Sequence, residues 1–198
     1  MRALLVPVKS FREAKNRLAP ALSPDERAAL ARDLATIVVH AAGTLDVFVA
    51  CDDGEVADWA ISNDALVLWT PGLGLSGAVT TGVSYLGSIG FATVIVAHAD
   101  LPLATDLEGF GTDGVVTLAP DWRDDGTNVA AVPADAGFQF AYGQGSFLRH
   151  QQEANRLGLD LEVVRDVALA SDVDFPSDLH LVANLLSSYH ADAHNTLE

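Results

Sequence analysis

Ala3-Leu4-Leu5-Val6-Pro7-Val8 opens the chain as an unbroken apolar run that stops abruptly at Lys9-Ser10. A strand wet on one face alternates apolar and polar residues, whereas a strand that is apolar throughout is covered on both. Ala92-Thr93-Val94-Ile95-Val96-Ala97 repeats the pattern and ends at His98-Ala99-Asp100-Leu101-Pro102. Between these runs lie two further strand candidates, 45–51 and 65–68, and three helical stretches, 23–40, 55–61 and 78–86. The first helix carries the clearest start signal. Ser23 suits the N-cap, Pro24 the first helical position, and Glu26 closes a capping box. Beyond the second apolar run, 114–118, 127–132 and 161–164 read as strands, 146–157 as a helix and 176–186 as a closing helix. Buried strands alternating with helices predict a three-layer α/β fold, a mostly parallel sheet with helices on both faces. In such sheets ligands bind beyond the carboxyl ends of the strands.

The chain has 198 residues, 49% of them apolar, and no Gly/Ser/Pro-rich linker. One domain over residues 1–187 is expected, with residues 188–198 as a fraying tail. The single cysteine, Cys51, cannot form an internal disulfide and reads as a small core residue in a reducing compartment. Neither a signal sequence nor an apolar run of about 20 residues is present, so a soluble, cytoplasmic protein is expected.

The formal net charge of −16 disfavours nucleic acid or an anionic membrane as partner, because both require clustered cations. The surplus of acid suits a halophile's surface or a simple solubility strategy, and composition alone leaves both open. The chain's two lysines, Lys9 and Lys15, share one short segment with Arg12 and Arg17. Concentrating cations there in so acidic a protein points to an anion at that loop.

Three constellations have chemical potential. The basic loop 9–18 can wrap a polyphosphate, though it lacks the GxxxxGK[ST] pattern of a P-loop. Asp100 after the 92–97 strand, with Asp172 and Asp174 before the closing helix, provides hard oxygen ligands at loop positions expected to converge. Asp172 and Asp174 project to one side of an extended segment and can face one ion. Alternatively one of them caps the closing helix, and Asp100 makes an Asx turn. Third, Asp125-Gly126-Thr127-Asn128 and Gly143-Gln144-Gly145-Ser146 lie ahead of a strand and a helix. The glycines either leave free N–H groups for an anion, with Arg149 and His150 one turn on, or precede a plain Ser N-cap. The Gly72–Gly77 stretch reads as a loop approaching a ligand or as a tight turn. His98 has no companion at metal-ligand spacing and is taken as structural or supporting.

Taken together, VPVKSFREAKNRLAPALSPDER, HADLPL, DGTN, YGQGSFLRH and SDVDFPSDL, in that order, resemble the CofC/FbiD family of coenzyme F-420 biosynthesis. Its members are 2-phospho-L-lactate and phosphoenolpyruvate guanylyltransferases. The resemblance spans Val6 to Leu179. It implies a GT-A-like, Rossmann-like nucleotidyltransferase fold, GTP and a phosphorylated three-carbon acid as substrates, magnesium as the divalent cation and pyrophosphate as leaving group. It further implies Asp100 and Asp172 as metal ligands with Asp174 close by, Lys9, Lys15 and Arg17 on the triphosphate, and Thr127, Asn128, Gly143 and Ser146 around the acid, with Arg149 beside them. Pro7, Val8, Lys9, Leu75 and Ser76 are the expected nucleotide-contacting positions. Some relatives carry a further hydroxyl residue where Val129 stands here.

Two competing readings fit the sequence less well. A molybdopterin guanylyltransferase or nucleotide-sugar pyrophosphorylase would show a GxGxR-type loop after the first strand, where this chain has Pro7-Val8-Lys9. A non-catalytic nucleotide-binding module would have no need of the three aspartates. An open sheet with a free edge leaves homodimerisation open.

Overall fold

The computed structural model describes residues 1–187. Seven strands form one sheet: β1 (Arg2–Pro7), β2 (Asp46–Cys51), β3 (Leu66–Trp69), β4 (Thr93–Ala97), β5 (Val116–Pro120), β6 (Thr127–Pro133) and β7 (Leu161–Val163). Their order across the sheet is β3-β2-β1-β4-β6-β5-β7. All neighbours are parallel except β6, which runs antiparallel to both β4 and β5. The carboxyl ends of β1, β2, β3 and β4 therefore open on one edge, and β6 begins at that same edge.

The helices are α1 (Pro24–His40), α2 (Gly54–Ser62), α3 (Gly74–Ser88), α4 (Ser146–Leu157) and the single turn α5 (Val167–Ala170). Leu4 and Val6 of β1 point to a core shared with α1 and α2, where Ala35, Val38 and Val56 are fully buried. Ala3 and Leu5 point to the opposite core beneath α3 and α4, built on Val79, Leu86 and Ala154. The period-two alternation of a doubly covered strand thus makes the three layers. The capping box at α1 forms as expected, with Ser23 and Glu26 each accepting from the other's backbone N–H.

Three segments differ from expectation. The helix expected from residue 78 begins at Gly74, because Gly72 and Gly74 take the left-handed turn (φ +72° and +62°) and Gly77 continues the helix. The closing helix is a 3-10 segment, Pro176–Val182, followed by an α-turn at 183–187. The basic loop is not a free polar strap. It contains two 3-10 turns, Phe11–Glu13 and Asn16–Leu18, whose Phe11 and Leu18 are fully buried. Phe11 meets the Trp59 ring edge-on at 5.4 Å. The tail expected at 188–198 lies outside the described residues.

Candidate active site

The carboxyl ends of β1 to β4 open into a cleft of about 840 Å³. Its walls extend the sheet: Val8 N–H donates to Ala50 O (2.9 Å) and Thr70 N–H to Cys51 O (2.9 Å). Pro7, Val8 and Leu75 line this cleft with Lys15, His98 and Asp100.

Asp100 lies three residues past β4, on a ladder prolonged by His98 N–H donating to Asn128 O at 2.9 Å. Lys15 reaches across the chain to it. The Lys15 ammonium donates to Asp100 Oδ2 (2.7 Å) and to Val173 O (2.8 Å), and stands 3.8 Å from Asp174 Oδ1. Arg17 pairs with Asp174 Oδ2 at 2.6 Å. Val173 N–H donates to Asp100 O (3.2 Å), which fastens the 172–174 segment to the loop after β4. Asn128, at the start of β6, donates its amide to Leu169 O (3.0 Å) and to Asp172 Oδ1 (3.4 Å). Four distant segments of the chain, 15–17, 98–100, 128 and 169–174, thus meet at one point.

The electrostatics of the two central carboxylates diverge. Burial, the largest influence, pushes the Asp100 carboxyl up, but the Lys15 ammonium in contact with it, the His98 ring and the hydrogen bonds to the carboxylate together outweigh it, and the group sits below the ordinary carboxylate range. Asp172 has no such cation. Burial first, and then the Asp100 charge, pushes it up to about 6. Burial keeps the His98 imidazole below its ordinary value and hence neutral near pH 7.

A divalent cation fits this donor set. Asp100 Oδ1 is buried without a hydrogen-bond partner among the described residues, and the ionised form of Asp172 is disfavoured by its burial and by the neighbouring Asp100 charge, both of which a cation would offset. No cluster of three or more His, Cys, Asp or Glu side chains with metal-site spacing occurs among the described residues. Two carboxylates nevertheless suffice for magnesium when substrate phosphates complete its shell.

Other expected site residues fall differently. Lys9 borders the cleft, but its side chain is two-thirds exposed and its ammonium pairs with Glu13, four residues on, at 3.5 Å, apart from Lys15 and Arg17. Ser76 is in the first turn of α3 and accepts from Tyr142 N–H (2.9 Å). Thr127, Asn128 and Ser146 are almost fully buried. Ser146 Oγ accepts from Thr127 N–H at 3.1 Å. His150 Nε2 accepts from Ala141 N–H (3.0 Å), so Nδ1 carries the proton and donates to Thr127 Oγ1 at 2.9 Å. Arg149 donates to the carbonyl oxygens of Ala141, Tyr142, Gly143 and Gln144, clamping the loop that carries Gly143 (φ +103°).

The expected anion site at the start of α4 is filled from within. Ser146 N–H donates to Gly143 O and Phe147 N–H to Asp125 O, while Gly145, not Ser146, takes the N-cap position. Neither Asp172 nor Asp174 caps the closing segment; Asp178 does, accepting from Asp174 N–H and Phe175 N–H. Asp52 and Asp53, at the end of β2, also line the cleft and were not anticipated. The rule that singled out Asp100, an acid just past a buried strand, applies to them equally.

Comparison with known proteins places the fold and the family. The structure resembles a nucleotidyl transferase from Methanothermobacter thermautotrophicus (TM-score 0.63, 15% identity, covering 93% of this chain and 99% of that one). It also resembles CMP:2-keto-3-deoxy-manno-octonic acid synthetase complexed with CTP (TM-score 0.59, 15% identity, 95% and 99%). The architecture is the GT-A-like nucleotidyltransferase fold. The chain is 37% identical to the phosphoenolpyruvate guanylyltransferase of Sphaerobacter thermophilus over 188 residues, covering 90% of this chain and 91% of the relative. It is 36% identical to the 2-phospho-L-lactate guanylyltransferase of Halorubrum lacusprofundi over 201 residues, covering 96% and 86%. The family profile described as guanylyl transferase CofC like matches residues 1–192. With the acidic centre at the edge of the cleft, these matches identify the chain as a member of the CofC-like guanylyl transferase family.

Proposed function

We propose that this chain transfers GMP from GTP to the phosphate of phosphoenolpyruvate or 2-phospho-L-lactate, releasing pyrophosphate, as a step of coenzyme F-420 biosynthesis. The observation that carries the reading is the meeting of Lys15, Asp100 and Asp172 at the edge of the cleft. An acceptor phosphate oxygen attacks the α-phosphorus of GTP, forming one P–O bond as the bond to the bridging oxygen of pyrophosphate breaks. A phosphate monoester is largely dianionic near pH 7, so the step requires no strong general base.

The protein's contribution is position and charge. Asp100 and Asp172 are the residues to hold magnesium, with Asp174 alongside; when bound, that ion neutralises charge on the phosphates in the transition state. Lys15 and Arg17 offer their donors to the triphosphate once the carboxylates they now engage are otherwise satisfied. The Thr127–Ser146–His150 chain fixes the start of β6, and with it the Asn128 amide that orients Asp172.

Incubation with GTP, magnesium and each acid in turn, followed by mass spectrometry, tests the reading. A guanylylated acid and one equivalent of pyrophosphate are expected with at least one of them. Turnover of GTP that is indifferent to the acid would sink it.

A further inference from the structure

The two ends of the cleft differ in which polar groups are left unpaired. Lys15 and Arg17 stand at the β4 end, beside Asp100 and Asp174. At the other end Asp52 and Asp53 follow β2, with Thr70 and Leu75 opposite. On the reading above the triphosphate belongs beside Lys15, Asp100 and Asp172, and the rest of the cleft extends to Asp52 and Thr70, so the nucleoside lies toward β2 and β3.

Most polar groups near that end are already engaged. Asp53 caps α2, accepting from Val56 N–H at 3.1 Å. Glu55 pairs with Arg12 and Arg32, and Glu13 pairs with Lys9. The Thr70 hydroxyl donates to Cys51 O at 3.4 Å. Asp52 alone among these four acids has no hydrogen bond or ion pair in the described residues, and it is exposed in the cleft wall. A carboxylate offers only acceptors. Guanine presents N1–H and a 2-amino N–H side by side, a donor pair that two carboxylate oxygens match. Adenine places a lone pair at N1, which a carboxylate repels.

We infer that Asp52 selects the donor nucleotide, its carboxylate accepting the N1–H and 2-amino hydrogens of guanine; this rests on the guanylyl-transfer reading above. Inosine triphosphate, which keeps N1–H and lacks the 2-amino group, is the clean probe.

The experiment compares kcat/KM for GTP and ITP, with phosphoenolpyruvate or 2-phospho-L-lactate, in the wild type and in Asp52→Asn and Asp52→Ala. Nucleotide affinity is measured in parallel by calorimetry. The wild type is expected to prefer GTP by roughly tenfold or more, as hydrogen bonds to a charged group allow. Both substitutions should collapse that preference by roughly fivefold or more, mainly through KM. A smaller change in the GTP-to-ITP ratio, in turnover and in affinity alike, overturns the assignment. Absence of guanylylated product in the wild type strikes the functional reading instead, and the calorimetric ratio still decides whether Asp52 reads the base.

Discussion

Lys15 adopts a left-handed backbone conformation (φ +55°) that non-glycine residues seldom take, at a cost on the order of 1 kcal/mol. The return is its ammonium, nine-tenths buried, held between Asp100 and the Val173 carbonyl. Strain of this kind persists where function fixes the geometry. The Asp100 carboxylate has one oxygen on Lys15 and the other unpartnered in the interior. Asp100→Asn keeps the shape and removes the charge, and is expected to lower kcat by about a hundredfold or more, comparable to losing a preorganised electrostatic contact elsewhere. Steady-state kinetics check it, with circular dichroism to show an intact fold; turnover within a few fold of wild type would take Asp100 out of the mechanism. The acidic residues of this centre were legible because a polar side chain just past a buried strand is placed by topology alone. Lys9 lines the cleft as expected but stands apart from the acidic centre. It shares the same loop, but its ammonium pairs with Glu13, an exposed i,i+4 neighbour whose position the preceding strand does not dictate.

At the scale of elements, the strands and long helices followed from hydrophobic period and caps, and α4 begins and ends where expected. What escaped the reading depended on contacts between distant segments. The 3-10 turns of the basic loop exist because Phe11 and Leu18 find buried partners, and the first turn of α3 looked like loop because of its glycines. Glycine in α3 serves packing elsewhere too. A Cβ at Gly87 would come within 2.8 Å of the Ala134 carbonyl oxygen, which is backbone and cannot step aside. Gly87→Ala should destabilise by about 1–2 kcal/mol, overpacking outweighing the gain in helix propensity. Gly54→Ala, with nothing within 4 Å of the added carbon, should be neutral or stabilising. Urea unfolding of the two variants measures the contrast. The α4 helix carries its own pH dependence. Burial, then the Arg149 charge, pushes His150 down to about 4 from 6.5. The unfolded chain therefore binds the proton first, so stability is fully present above pH 6.5 and is lost as pH falls toward 4. Between pH 7 and pH 5 this loss amounts to about 2 kcal/mol. His150→Gln should be less stable than wild type at pH 7 and lose less on acidification; equal pH slopes for the two would refute the linkage.

Over the whole molecule, 27 acidic residues face 11 basic ones. Several cations are already committed to surface pairs such as Arg156 with Glu153, Arg165 with Asp124 and Arg12 with Glu55. Exposed pairs of this kind contribute about 0–1 kcal/mol each, whereas the net charge of −16 repels itself across the entire surface. Nucleotide and phosphorylated acid are anions as well, so the long-range field opposes their approach. Salt acts on the two terms unequally. Raising the ionic strength from about 0.01 M to about 1 M shortens the screening length from about 30 Å to about 3 Å, which removes most of the long-range repulsion and leaves partly buried contacts such as Lys15–Asp100 less affected. Relief of about 1–2 kcal/mol is a reasonable scale for an imbalance of this size, and for a chain of this length it raises the melting temperature by roughly 2–8 °C. Calorimetric scans across that range of sodium chloride should show a steady rise. A flat or falling melting temperature would mean that the surface pairs, not the excess of negative charge, dominate the electrostatic balance of the folded protein.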